Sequence, residues 1–411
     1  MMNKRFLVLC LLTATAVYAE EDSAPEPPSN LFFDTDVYIY EPKFTLSYGM
    51  RSLSGAKSSF SGTAMITDPS QHLAGVTGTG ENRIYHDGAV RVDPRGVSVD
   101  DGNGGSVNVP ITPDGKTNSW GFGEAKQILP DGTIAMHSYT ANVIDAGQRE
   151  KNPASTYGAE VTLTRDLGRI AARFDWSLAT GLSLNDIHSS MTNKERATIT
   201  TVTDAYSLGG APAPVPPYNS PSTASVPLID ASGNPVLNAD GSGQTVSVDN
   251  STLLGSEPDT RTTTTTVDTT SVTNRYHLKG AYFTFRAGPS IVIPVTASLR
   301  ASFSAGAALV YAGTTYSVVQ DFVPDTGSEI VSTVSDTENR LLPGFYANAS
   351  MEYWLSARTG FYLGAVYQSS GSFTQTIVSN GSPGLPNTAN YATKVDLSSL
   401  QGFRFGVNYR F

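Results

Sequence analysis

Residues 400–411 read LQGFRFGVNYRF. In an extended chain Phe403, Phe405, Val407, Tyr409 and Phe411 share one face, and Gly402, Arg404, Gly406, Asn408 and Arg410 share the other. Strand side chains alternate between faces, so the segment is a ribbon with one oily side and one charged side. The pattern recurs in seven blocks upstream, at 43–52, 156–165, 170–184, 277–291, 297–311, 345–355 and 359–368. In the fourth of these, Phe283, Phe285 and Ile291 oppose Thr284, Arg286 and Ser290.

The connections alternate in length. Those after the second, fourth and sixth blocks take a few residues, whereas the others run from about thirty to about a hundred. An even number of strands with alternating short turns and long loops is the plan of a transmembrane meander barrel. Chains of this kind resemble bacterial outer-membrane β-barrels, whose last strand ends in Phe with an aromatic residue two places before it. Tyr409 and Phe411 stand in those places as a barrel C-terminal signal. The resemblance implies an all-β, antiparallel, eight-stranded barrel of the small OmpA and OmpX type in the cell outer membrane. Barrel-assembly machinery, outer-membrane lipids and lipopolysaccharide are then its partners. Both termini fall in the periplasm, and loops at about 54–155, 185–275, 312–342 and 371–398 fall outside the cell.

The N-terminus agrees with export. Lys4 and Arg5 precede an apolar stretch from Phe6 to Val17, and Val17, Tyr18 and Ala19 suit a signal peptidase, which places a signal peptide at 1–19. The acidic, proline-rich segment 20–36 reads as a periplasmic linker ahead of the barrel at 37–411. Cys10 is the single cysteine and leaves with the signal, so no disulfide is expected. A mean hydropathy of −0.16, with no later long apolar run, excludes spanning helices. The formal charge of −10 argues against nucleic acid as a partner, since phosphate binding needs clustered Lys and Arg.

Parity sends one set of charges inward: Lys43, Arg51, Glu160, Arg173, Asp175, Arg286, Arg300, Glu352, Arg404 and Arg410. An eight-stranded barrel is only wide enough for side chains to fill, so these charges are expected to pair as a plug. The resulting function is a membrane-anchored surface or structural scaffold, serving adhesion, surface binding or membrane integrity toward an extracellular ligand the sequence does not name. A narrow pore for small solutes is the alternative.

The block RIYHDGAVRVD with SWGFGEAKQI and MHSY resembles one in uncharacterised outer-membrane barrel proteins, and it implies no activity. Tyr85, Trp120, Phe122 and Tyr139 from that loop are expected to converge as a surface patch. Outer-membrane lipid A deacylases use a His-x-Ser pair, and His188 with Ser190 has that spacing, giving a second alternative. No orienting acid is visible on a neighbouring strand, no cofactor or metal spacing is present, and the chain is expected not to be an enzyme.

Overall fold

The terminal ribbon is paired along both edges, and that closes the sheet on itself. The computed structural model describes residues 43–68, 82–100, 106–110, 114–144, 147–151, 155–171, 174–221, 223–238, 241–325, 328–380 and 387–411. The signal sequence, the linker and Arg173 lie outside the described residues.

Thirteen strands form one antiparallel sheet. They are β1 (Phe44–Ser54), β2 (Lys57–Thr67), β3 (Ile134–Val143), β4 (Arg149–Lys151), β5 (Thr156–Ala171), β6 (Phe174–Tyr206), β7 (Thr260–Pro294), β8 (Leu299–Phe322), β9 (Ile330–Trp354), β10 (Thr359–Ser369), β11 (Ser372–Ser379), β12 (Thr388–Asp396) and β13 (Leu400–Arg410). In the lower part β1, β5, β6, β7, β8, β9, β10 and β13 pair in that order, and β13 returns to β1 with Thr45 facing Arg410. The ring has no free edge.

The remaining strands continue these staves upward. Ser54 faces Gln401 below, and Lys57 faces Asp396 above, so β1 runs on into β2 as β12 runs on into β13. The bend between β1 and β2 falls at Gly55 and the one between β10 and β11 at Gly371, with φ of 95° and 80°. Only glycine adopts that region without strain. Strands β3 and β4 stand above β5: β3 pairs with β6 and β2, and β4 pairs with β2. Strands β6 and β7 need no bend, being 33 and 35 residues long. Their threonine-rich upper runs pair, with Thr201 opposite Thr264.

The two levels have opposite sidedness. Below, the outward face carries exposed Leu178, Leu182, Phe285, Phe303, Leu363 and Phe405, while Arg51, Glu160, Arg286 and Arg404 are buried inside. On β6 the outward apolar residues run from Phe174 to Leu184. At about 3.3 Å per residue and a tilt of about 40°, that is about 25 Å of height. Above, Phe60, Ile66, Tyr276, Tyr316, Val318 and Tyr391 form an apolar core. Tyr85, Trp120, Phe122, Met136, Tyr206 and Leu254 form a second one. That second core belongs to a cap built on a small sheet of Arg83–Ile84, Gly88–Val90, Trp120–Phe122 and Tyr218–Asn219.

Several expectations change. The segment 54–155 is not one excursion from a small barrel, because it contributes β2, β3 and β4 to a thirteen-stranded sheet, and 371–398 contributes β11 and β12. The sequence criterion was an oily outward face, and these strands carry their apolar residues inward. The turn expected at Asp166–Arg169 is absent too, since β5 continues through those residues against β6, with register shifts after Asp166 and Arg169.

Candidate functional site

Glu160 points inward from β5, where a lone carboxylate would be costly to bury. It is fully met. Arg286 Nη2 lies 2.7 Å from one oxygen and Arg404 Nε 2.8 Å from the other, and the Tyr362 hydroxyl donates to it at 2.9 Å. Gly49 clears the way for that hydroxyl, since a Cβ there would fall 2.2 Å from it. One layer up, Arg51 donates to Asn185 Oδ1 at 2.5 Å and, at 3.4 Å each, to Gln368 and Thr284. Two guanidiniums therefore share one carboxylate, and neutral amides and a hydroxyl take up the donors of the third.

Below this layer Asp175, Arg300, Glu352 and Arg410 line a cavity of about 80 Å³. Such a polar space is large enough for several waters. Arg300 stands opposite Glu352, and the Trp354 ring lies 4.1 Å from the Arg410 guanidinium. Lys43 is exposed at the base and is not among the residues lining that cavity. Above Arg51, Phe60 stacks on Tyr276 and Tyr316 at 5.3 and 5.9 Å. Arg51, Thr284, Gln368 and Phe60, which follow above the cavity, are each at most 1 % exposed.

The upper half holds charge constellations that the sequence did not reveal. His86 Nδ1 lies 2.6 Å from Asp68, and His137 Nδ1 lies 2.6 Å from Asp87, whose other oxygen accepts the His137 amide. Both imidazoles pack on the Tyr139 ring, His86 edge-on and His137 stacked. His86 Nε2 is buried without a partner, while the His137 side chain retains 18 % exposure. An imidazole oriented by a carboxylate has the form of a general base. No hydroxyl is hydrogen-bonded to either Nε2 among the described residues.

Asp204 is buried nearby, held by Arg261 through two 2.6 Å contacts and by the Tyr85 hydroxyl. Burial pushes the Tyr206 hydroxyl, 2.6 Å from that of Tyr85, up to about 12. A second enclosed acid, Glu195, takes Arg149 and the Tyr276 hydroxyl. The only sequence trace of the paired histidines is the period-two run MHSYTANV, which sets His137 and Tyr139 on one face.

The expected aromatic patch is corrected. Tyr85, Trp120, Phe122 and Tyr139 are each at most 3 % exposed, so they are core and not surface. Trp120 stacks on Phe122, Tyr85 meets the Tyr206 ring and Tyr139 meets Phe322 in the other core, and Trp120 Nε1 donates to the Thr252 carbonyl at 2.8 Å. His188 and Ser190 do share the outer face of β6, but no hydrogen bond joins them. Lys151 donates to the Ser190 carbonyl. At the chain end, Phe411 stacks on Phe44 at 5.9 Å and on Tyr409 at 6.3 Å.

These features define a closed antiparallel β-barrel with a polar, filled lower interior. No family model matches the chain, and no curated protein does. Among solved structures it is similar to the outer membrane protease OmpT from Escherichia coli, at 8 % identity over 93 % of this chain and 99 % of that one, with a TM-score of 0.27. A FadL homologue of Pseudomonas aeruginosa follows at 10 % identity, 90 % of each chain and a TM-score of 0.17. The monoaromatic hydrocarbon channel TodX is matched at 6 % identity over 90 % and 91 %, with a TM-score of 0.15. A thirteen-stranded sheet with a capped upper half is not a small OmpA or OmpX-type barrel, and that expectation is set aside. The expectation that the chain is not an enzyme is withdrawn as well, because an outer-membrane protease stands among the similar structures. At these TM-scores none of their activities passes to this chain.

Proposed function

We propose that this chain is an integral outer-membrane protein in which the eight ring-forming staves cross the bilayer. Its upper half then stands outside the cell as an anchored, water-facing domain. The reversal of sidedness along the same strands supports this most directly. An apolar exterior about 25 Å tall, wrapped round a charged interior, is stable in hydrocarbon and unstable in water. Both termini then lie in the periplasm, and Tyr409 with Phe411 presents the signal that assembly machinery reads.

The filled interior favours anchoring over conduction. Purified protein added to a planar bilayer is expected to insert without a steady open-channel conductance. A stable conductance that survives neutralisation of Arg51 would overturn the anchoring role and leave a pore.

The Asp87–His137 pair favours a second reading, a hydrolytic site in the upper half whose nucleophile is water or a substrate group. Peptide and ester substrates presented to the wild type and to His137→Ala test it. Turnover lost in the variant supports the reading, and equal turnover, or none by either protein, removes it.

A further inference from the structure

The lower interior carries more positive charge than its own acids balance. Among the described residues five guanidiniums point into it, from Arg51, Arg286, Arg300, Arg404 and Arg410, against three carboxylates, from Glu160, Asp175 and Glu352. The imbalance is greatest where burial is deepest. Arg51, Arg286, Arg404 and Glu160 are each at most 6 % exposed, so three cations meet one anion there. Of the other two acids, Asp175 already has Arg169 at 3.4 Å, and Glu352 stands opposite Arg300 without closing an ion pair. At the exposed rim Asp166 and Arg169 add one charge of each sign and leave the excess unchanged.

Enclosed like charges are costly unless something of opposite sign shares the space. Arg286, Arg300, Arg404 and Arg410 all line the cavity of about 80 Å³ beneath the Glu160 layer, together with hydroxyls such as those of Ser290, Ser304 and Tyr346. Each guanidinium is braced on a ring. Arg286 lies 5.8 Å from the Tyr346 ring and Arg404 4.8 Å from that of Tyr362. At the floor Arg300 and Arg410 both lie on Trp354, at 5.8 and 4.1 Å. Stacking occupies the face of a guanidinium and leaves its in-plane N–H groups free to donate. Arg300 and Arg410 make no ion pair among the described residues, and Trp354 Nε1 beside them is buried without a partner. These two arginines are half-buried, whereas Arg286 and Arg404 above them are buried, so the cavity opens at the end of the barrel that holds Lys43 and Phe411.

We propose that this cavity binds one doubly charged tetrahedral oxyanion of the phosphate class, held by Arg300 and Arg410 at the mouth with Arg286 and Arg404 above. Two negative charges cancel the excess of the surrounding side chains. Planar guanidinium forks match pairs of oxygens on such an anion, and a spherical halide offers no such pairs. The size agrees, since a water takes about 30 Å³ and the cavity has room for one small oxyanion and little more. Arg51, Thr284 and Gln368 close the space above, so the anion enters and leaves by the same end. The site therefore serves binding and not passage. It needs only the closed ring of strands, whatever surrounds the barrel.

The test dialyses the full-length protein in detergent micelles against radiolabelled inorganic phosphate at fixed ionic strength. The wild type is expected to bind a single phosphate per chain, displaced by sulfate and not by equimolar chloride. The double variant Arg300→Gln, Arg410→Gln removes two charge-assisted contacts and is expected to lose about a hundred-fold in affinity. Lys43→Gln, exposed and off the lining, should bind as the wild type does. Urea unfolding gives a second readout. Above the dissociation constant, each tenfold rise in phosphate should lower the unfolding constant of the wild type about tenfold. Ser350→Glu puts a carboxylate on the lining and should flatten that dependence. Absence of saturable binding by the wild type overturns the proposal, as does binding that the double variant leaves unchanged. Should the double variant not fold, phosphate binding undiminished in Ser350→Glu overturns it. None of these outcomes depends on the membrane reading, which stands or falls on its own tests.

Discussion

Two stretches of β8 show how one strand serves two surroundings. In its lower part Ala301, Phe303, Ala305 and Leu309 face outward, and Arg300, Ser302 and Ser304 face inward. Higher up, Thr315 and Ser317 face outward, and Tyr316 and Val318 are fully buried. Backbone pairing runs unbroken through both, from Leu299 opposite Tyr353 to Phe322 opposite Ile330. The alternation never changes, only the face that carries the oil. On the proposed membrane reading, lipid solvates the apolar side chains of the lower half, and the interior must satisfy its own charges. In the upper half water solvates the exterior and the interior is a conventional apolar core.

The largest way to break this comparison is at Glu160. In Glu160→Gln, Arg286 and Arg404 lose their shared counter-charge inside the lower ring. A loss of about 3–5 kcal/mol is expected in urea unfolding from lipid vesicles. If the lower interior were open to bulk water, the change would be small. Phe60→Ala attacks the upper core instead, removing the ring that bridges Tyr276 and Tyr316. It is expected to cost about 3–5 kcal/mol. Hydrogen exchange should then speed up in β2, β3, β11 and β12 and stay slow in the ring below. Uniform acceleration would mean that the two halves are one cooperative unit.

The exteriors differ by less. Leu363→Arg places a charge on the lower outward face and should cost about 2–4 kcal/mol in a bilayer. Thr315→Arg, on the upper outward face, should stay within about 0.5 kcal/mol. Equal costs would remove the distinction between the two surfaces.

The smallest effect concerns His277. Its burial, with the neighbouring Lys279, His188 and Arg275, holds its pKa below the ordinary histidine value. Below about pH 6.5 the unfolded chain takes up a proton that the folded chain resists. The stabilisation is therefore present above that pH and falls away as the pH drops through the folded value. NMR titration should place the His277 midpoint below 6.5. A midpoint at or above 6.5 contradicts the burial and the cationic surroundings.

The lower half was legible because its pattern carries an absolute direction. A strand with Phe403, Phe405 and Val407 on one face and Arg404 on the other, recurring with long and short links, assigns lipid to one side and lumen to the other. The upper half has the same period with no such anchor. KSSFSGTAMIT buries Phe60, Ala64 and Ile66, yet its apolar face is as short as that of many surface loops. The inward charges of the ring follow from parity, so Glu160, Arg286 and Arg404 could be read together before their distances were known. Asp68, His86, Asp87 and His137 could not. They meet through tertiary pairing of loop strands, at separations with no recognisable motif, and alternation says nothing about which loop segments will touch. The aromatic residues of that loop misled for a related reason. Polar surroundings in sequence suggested exposure, whereas Tyr206, Leu208 and Leu254 from distant segments complete a core around Tyr85, Trp120 and Phe122, and Tyr139 joins the core below.

One measurement tests the reversal of sidedness most directly. Cys10 is the only cysteine, so nitroxide labels can be introduced singly in a Cys10→Ser background at Phe405, Leu363, Thr315 and Thr265 of the protein in lipid bilayers. Collision with oxygen, which concentrates in hydrocarbon, should dominate at 405 and 363, and collision with a water-soluble nickel chelate should dominate at 315 and 265. Nickel access at 405 and 363 as high as at 315 would contradict the account, because the lower exterior would then face water.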